Sequence, residues 1–102
     1  MNVIKLRTLK AFWMVHADAE RPLFDWFQFC RRARWQNIRD VRRAYPHADA
    51  VAVKSGRTAT VFNIGGNKYR LVALVDYQFQ RMLVTHVLTH ADYDRERWKE
   101  QL

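Results

Sequence analysis

From Ala50 onward the chain is cut into apolar, β-branched and aromatic runs, with connections too short for a crossover. Val51 and Val53, Thr58 to Ile64, Tyr69 to Tyr77, and Arg81 to Thr89 read as strands. Ser55-Gly56 and Gly65-Gly66-Asn67 punctuate them, and both sequences supply positive φ at little steric cost. A parallel crossover needs a dozen or more residues, so these neighbours must pair antiparallel.

The front half has a different period. Val3, Ile4 and Leu6 suggest a short opening strand, and Thr8 stands at the N-cap position before Leu9, Phe12, Trp13 and His16. Ala17 to Arg21 reads as a turn, and Pro22 fits the first turn of a second helix. Its apolar stripe is Leu23, Trp26, Phe27 and Cys30, at i, i+3, i+4, i+7. Ile38, Val41 and Ala44 add a short helix ended by Pro46, and Asp92 to Trp98 reads as a closing helix. The expected fold is α+β: an N-terminal helical hairpin packed on an antiparallel sheet, with a short C-terminal helix. At 102 residues the expectation is a single domain spanning 1–102.

Charge narrows the function. The net charge of +8 on so small a body makes a polyanion the leading partner class. No apolar run approaches the roughly 20 residues of a membrane span, so no membrane partner is expected and the expected compartment is the cytoplasm. A lone cysteine, Cys30, excludes an intramolecular disulfide and a cysteine-based zinc site.

Two basic groups stand out. Arg31, Arg32, Arg34, Arg39, Arg42 and Arg43 crowd one segment with only Asp40 to offset them, suiting either RNA phosphates or an acidic partner. Lys54, Arg57, Lys68, Arg70 and Arg81 lie on or beside the strands, where hairpins would let them converge on one surface. The alternative for these is ordinary edge-strand charge. His86 and His90 on one strand would be ~13 Å apart, too far to share a metal ion. His90, where strand gives way to helix, shares a face with Tyr93 one turn later; spacing alone is equally served by a local hydrogen bond and a packed tyrosine. His16 and His47 read as surface or packing residues, and no nucleotide-binding glycine motif or serine–histidine–acid set is present.

The segment Val61-Phe62-Asn63-Ile64-Gly65-Gly66-Asn67-Lys68-Tyr69-Arg70-Leu71-Val72, with Thr89-His90-Ala91-Asp92-Tyr93-Asp94, closely resembles the HigB family of toxins in type II toxin–antitoxin systems. Leu9-Lys10-Ala11-Phe12-Trp13, Trp35-Gln36-Asn37 and Tyr45-Pro46-His47-Ala48-Asp49 resemble it too, so the likeness covers nearly the whole chain. It implies a RelE/ParE-like fold and an mRNA endoribonuclease (an mRNA interferase) that acts on transcripts, often on the ribosome, and blocks translation and growth. It also implies a cognate helix-turn-helix antitoxin of the HigA type. The implied chemistry uses no metal or other cofactor: the ribose 2′-hydroxyl attacks the neighbouring phosphate, leaving a 2′,3′-cyclic phosphate and a 5′-hydroxyl.

By the same resemblance, the catalytic set is His90, Tyr93 and Arg70. Arg70 and Lys54 would bind the scissile phosphate, His90 would act as acid or base, and Tyr93 would assist. Asn67 and Lys68 belong to the central motif. Thr85 stands where the family commonly carries an arginine, so Arg81 or His86 is expected to compensate among the substrate-binding residues. Competing functions are a non-catalytic RNA- or ribosome-binding module and a gyrase-targeting toxin of the same fold.

Overall fold

The computed structural model describes residues 1–102 throughout. In chain order the elements are β1 (Asn2–Ile4), α1 (Leu6–Val15), a 3-10 turn (Ala17–Ala19), α2 (Glu20–Arg32), α3 (Ile38–Ala44), β2 (Asp49–Ala52), β3 (Thr58–Ile64), β4 (Tyr69–Asp76), β5 (Arg81–Thr89), α4 (His90–Asp94) and α5 (Arg97–Glu100). The strands form one five-stranded sheet in the order β1-β5-β4-β3-β2. No helix is long and apolar enough to cross a membrane.

Both strand patterns and hairpin turns obey the short-connection rule. β2 through β5 pair antiparallel, in registers that set Asn63 opposite Arg70 and Arg70 opposite Leu88. Gly65 and Gly66 hold φ of +63° and +70° in the β3–β4 turn, where a Cβ would be strained. The departure from an all-antiparallel sheet is β1, which lies parallel to β5 through Asn2↔Arg81, Val3↔Met82 and Ile4↔Leu83. The short-connection rule never applied to this pair, because the helices and the other strands separate it in sequence.

The sheet has two apolar faces. On one, Leu9 of α1 and Leu23, Trp26 and Cys30 of α2 pack on Phe62, Ile64, Leu71, Ala73, Met82 and Val84. Leu9, Leu23, Phe62 and Met82 are fully excluded from solvent, each worth roughly 1.5–3 kcal/mol of burial. The opposite face carries a smaller cluster of Val53, Ala59, Val61, Val72 and Trp98, so the C-terminal turn covers the side the hairpin leaves bare.

Two helix boundaries differ from the sequence pattern. α1 begins at Leu6 with Lys5 as N-cap and Thr8 inside it, because Leu6 packs on the main core rather than extending the strand. The closing helix is two pieces. Thr89 caps α4 by accepting from the Asp92 amide at 3.2 Å, and Glu96, at φ +61°, turns the chain so that Trp98 of α5 folds back over the sheet. The α2 stripe is as expected, with Phe27 half-buried at its margin.

Candidate functional site

Arg70 is the point about which the site is built. Its position on β4 alternates with Tyr69 and Leu71 of the helical face, which places it on the same side as Val72 and the C-terminal cluster. The residue is 8% exposed, an unusual situation for an arginine, and it is held by local acceptors. Nη1 donates to the carbonyls of Asn67 and Tyr69 at 3.2 and 3.1 Å, and Nη2 to the Asn67 side chain at 2.5 Å. Three of its five N–H donors are thereby used, and the Nε and one Nη2 hydrogen remain for a ligand. No carboxylate neutralises it.

The guanidinium lies over the Tyr93 ring at 5.7 Å, and Tyr93 in turn stacks on Trp98 with centroids 5.3 Å apart and planes 16° from parallel. Burial, followed by the nearby Asp49 carboxylate, pushes the Tyr93 phenol above its ordinary pKa, against the opposing pull of Lys99 and Arg70. Tyr93 therefore remains protonated at neutral pH and serves as a hydrogen-bond donor, not a base.

His90 opens α4. Its Nδ1 lies 2.9 Å from Asp94 Oδ2, one helical turn on, which orients the ring and leaves Nε2 facing outward. The side chain is solvent-exposed. A carboxylate behind an imidazole whose second nitrogen is free is the arrangement a proton carrier needs. Thr89 performs the capping that His90 was weighed for, so His90 is not the cap of this helix.

Other expected site residues lie elsewhere, and the convergence of the strand-borne charges does not occur. Arg81 pairs with Asp76 at 3.5 Å, seven positions up β5 from Leu88 and so about 23 Å from the Arg70 register. Lys54 sits in the β2–β3 connection, beyond Thr58 and thus about 17 Å along β3 from Asn63; its amide donates to the Lys99 carbonyl at 3.1 Å. Arg57 is in the same distant connection. The turns that would have gathered these charges sit at opposite ends of the strands. Lys68 is near Arg70 in sequence but turns to the helical side, where Asp18 binds both its ammonium and the Tyr69 hydroxyl.

His86 is held between Thr85 Oγ1 at 3.0 Å and Gln101 Oε1 at 2.6 Å, while Thr85 itself donates to the Val72 carbonyl at 3.2 Å in the bulge between Val72 and Ala73. Of the two groups proposed to compensate for Thr85, Arg81 is too distant, and His86 stays on the Arg70 side of the sheet. Sequence reasoning missed Asp94, Asp49, Trp98 and Gln101. Asp94 was within reach, since His90 and Asp94 are an i, i+4 pair once the helix starts at His90.

Asp18 ties the turn before α2 to the start of β4, and its bonds to Lys68 and Tyr69 hold its carboxyl below the ordinary 3.8. A lowered folded-state value means the stabilisation is present above that ordinary pKa and is lost as pH falls through the folded one. Asp18→Asn is expected to melt at a lower temperature than wild type at neutral pH. The gap should close below about pH 4, as thermal midpoints across a pH series would show; a gap that persists at lower pH would refute this role.

Comparison with known proteins adds an independent finding. The family model for HigB toxins, the RelE-like toxic component of a toxin–antitoxin system, matches residues 19–96. An mRNA interferase toxin HigB of Escherichia coli strain K12 is 47% identical over 34 residues, 33% of this chain and 33% of that protein. An mRNA interferase HigB of Escherichia coli O6:H1 is 30% identical over 56 residues, 55% of this chain and 52% of that protein. The matched segments thus span between a third and about half of these curated relatives.

Proposed function

The chain belongs to the HigB family of RelE-like toxins, matched across residues 19–96, and from that premise we propose that it is an mRNA endoribonuclease whose phosphate-stabilising group is Arg70. The observation that carries this reading is a buried guanidinium with no carboxylate partner, held by Asn67 and braced on Tyr93, beside a helix that opens with His90.

The reaction follows from these groups. The ribose 2′-oxygen adjacent to the scissile phosphate attacks phosphorus, forming the P–O2′ bond as the P–O5′ bond breaks. His90 Nε2 takes the 2′-hydroxyl proton, and the leaving 5′-oxygen ends protonated. Charge accumulates on the non-bridging oxygens in between, where the free N–H groups of Arg70 and the Tyr93 hydroxyl stabilise it. The products are a 2′,3′-cyclic phosphate and a 5′-hydroxyl. DNA, lacking the nucleophile, is inert. Arg70 supplies the cationic charge that a metal would otherwise bring, so cleavage is expected to survive EDTA. Lys54, Lys68 and Arg81 contribute to the general attraction of RNA, and Asn67 holds Arg70 in place.

The partner in this reading is a cognate antitoxin. Arg32, Arg34 and Arg39 have no carboxylate partner, whereas Arg42 and Arg43 reach Asp49 and Asp40 at 3.6 and 3.5 Å. An acidic antitoxin segment would complement the unpaired three, and its binding would weaken with salt.

The test is cleavage of transcript by purified protein in EDTA, with and without ribosomes, followed by mapping of 5′ ends. New 5′-hydroxyl ends within reading frames are expected with wild type. His90→Ala should slow their appearance about 10²–10⁴-fold, the usual worth of a positioned acid–base group. Equal rates for both proteins would remove His90 from the mechanism, and an absence of ends would overturn the nuclease reading.

A further inference from the structure

Beside the Arg70 register, on the open side of β5, lies a second polar cleft that the chemistry above does not use. Its volume is about 160 Å³, and His86, Leu88, Asp92, Arg95, Arg97 and Gln101 line it, over Trp98. β1 covers β5 only at Arg81 to Leu83, so nothing in the sheet occupies the edge near His86 and Leu88.

The cleft is held firmly. Glu96 in the left-handed region reverses the chain, Trp98 is 2% exposed with its Nε1 donating to the Tyr93 carbonyl at 3.1 Å, and the Lys54 amide bonds to the Lys99 carbonyl at 3.1 Å. α5 is thereby fixed to the sheet, to α4 and to the β2–β3 connection. Within this frame Arg97 meets no carboxylate, and Arg95 has only a loose contact with Asp92 at 3.5 Å across exposed side chains. The His86–Gln101 bond engages the oxygen of the Gln101 amide and leaves its NH₂ group free.

We propose that this cleft binds one unstacked nucleotide of the RNA, next to the scissile phosphate, with its phosphate on Arg97 and its base edge on Gln101 and Asp92. The inference rests on the nuclease reading and extends it to a substrate subsite. Proximity is one reason: Leu88 is the register partner of Arg70, so the cleft begins one strand away from the guanidinium. The mixture of groups is the other. Arginines alone would suit any anion, but a free amide donor beside a carboxylate acceptor suits a base edge, which presents both kinds of group. Single-stranded RNA is read in this manner, by splayed bases in polar pockets along a cationic track.

The probe is a mixed-sequence 2′-O-methyl RNA trinucleotide, which binds without being cut, titrated into ¹⁵N-labelled full-length protein. The expected result is movement of the Gln101 side-chain amide and Arg97 Nε signals together with Arg70 Nε. Arg97→Ala should weaken binding about tenfold, the worth of one charge-assisted hydrogen bond, at an unchanged melting temperature. Arg21→Ala removes an equal charge from an exposed helix position and should leave binding nearly intact. If Arg70 responds while Gln101 and Arg97 do not, or the two alanine variants bind alike, the cleft is not a nucleotide subsite and the nuclease reading stands. If none of the three signals moves, both fall.

Discussion

Arg70→Ala is expected to lower the rate of RNA cleavage by about 10²–10³-fold while the protein stays folded. That range is the usual cost of removing one preorganised donor from a site that stabilises developing negative charge. The mild structural effect follows from where the bonds go: the acceptors released are the Asn67 carbonyl and side chain and the Tyr69 carbonyl, at the rim of a turn where water can replace the guanidinium. Arg70→Lys should recover little, because an ammonium cannot fork between Asn67 and a phosphate as a planar guanidinium does. Single-turnover cleavage beside a thermal melt separates the two effects. A variant that melts normally and cuts at the wild-type rate would displace Arg70 from the centre of the mechanism.

Trp98→Ala carries the largest stability effect and reaches the same site from below. Trp98 is the main cover of the second apolar face, on Val53, Ala59, Val61 and Val72. Truncating a buried tryptophan costs about 3–5 kcal/mol, and in a chain of this size each kcal/mol lowers the melting temperature by roughly 4–8 °C. The variant should also lose activity at temperatures where it remains folded, because Tyr93 loses the ring it stacks on and the support it gives Arg70. Trp98→Phe keeps most of the packing but not the Nε1 bond to Tyr93, and should fall between the two. Melting curves and cleavage rates at a temperature below every midpoint would test this; an unstable variant with full activity would uncouple the second core from the site.

The strands and the helical stripe were legible because they depend on local period and turn chemistry. Thr58 to Ile64 and Arg81 to Thr89 carry their boundaries in β-branched runs, and Leu23, Trp26 and Cys30 lie on one helix face whatever they pack against. The parallel pairing of β1 with β5 was not legible, since no local rule relates Val3 to Met82. Arg70 could be singled out by the company of Asn67 and Tyr93, but its burial could not, because that depends on Trp98 folding back after Glu96. Lys54 and Arg81 failed to join it for a geometrical reason: a hairpin brings together residues across the ladder, and these lie along it. Lys68 faces away because neighbouring side chains on a strand alternate sides.

The pairing of β1 with β5 also sets an order on synthesis. Asn2 finds its partner only when Arg81 has been made, so the first strand waits while almost the whole chain is translated. Such long-range closure is slow relative to helix formation. The α1–α2 hairpin can form early, whereas the sheet edge, His90 and the Trp98 cover arrive last, as the final residues leave the exit tunnel. A nuclease directed at messages thus has its catalytic groups in the last-made stretch of its own chain, and incomplete products released by premature termination before β5 carry the cationic surface without the means to cut.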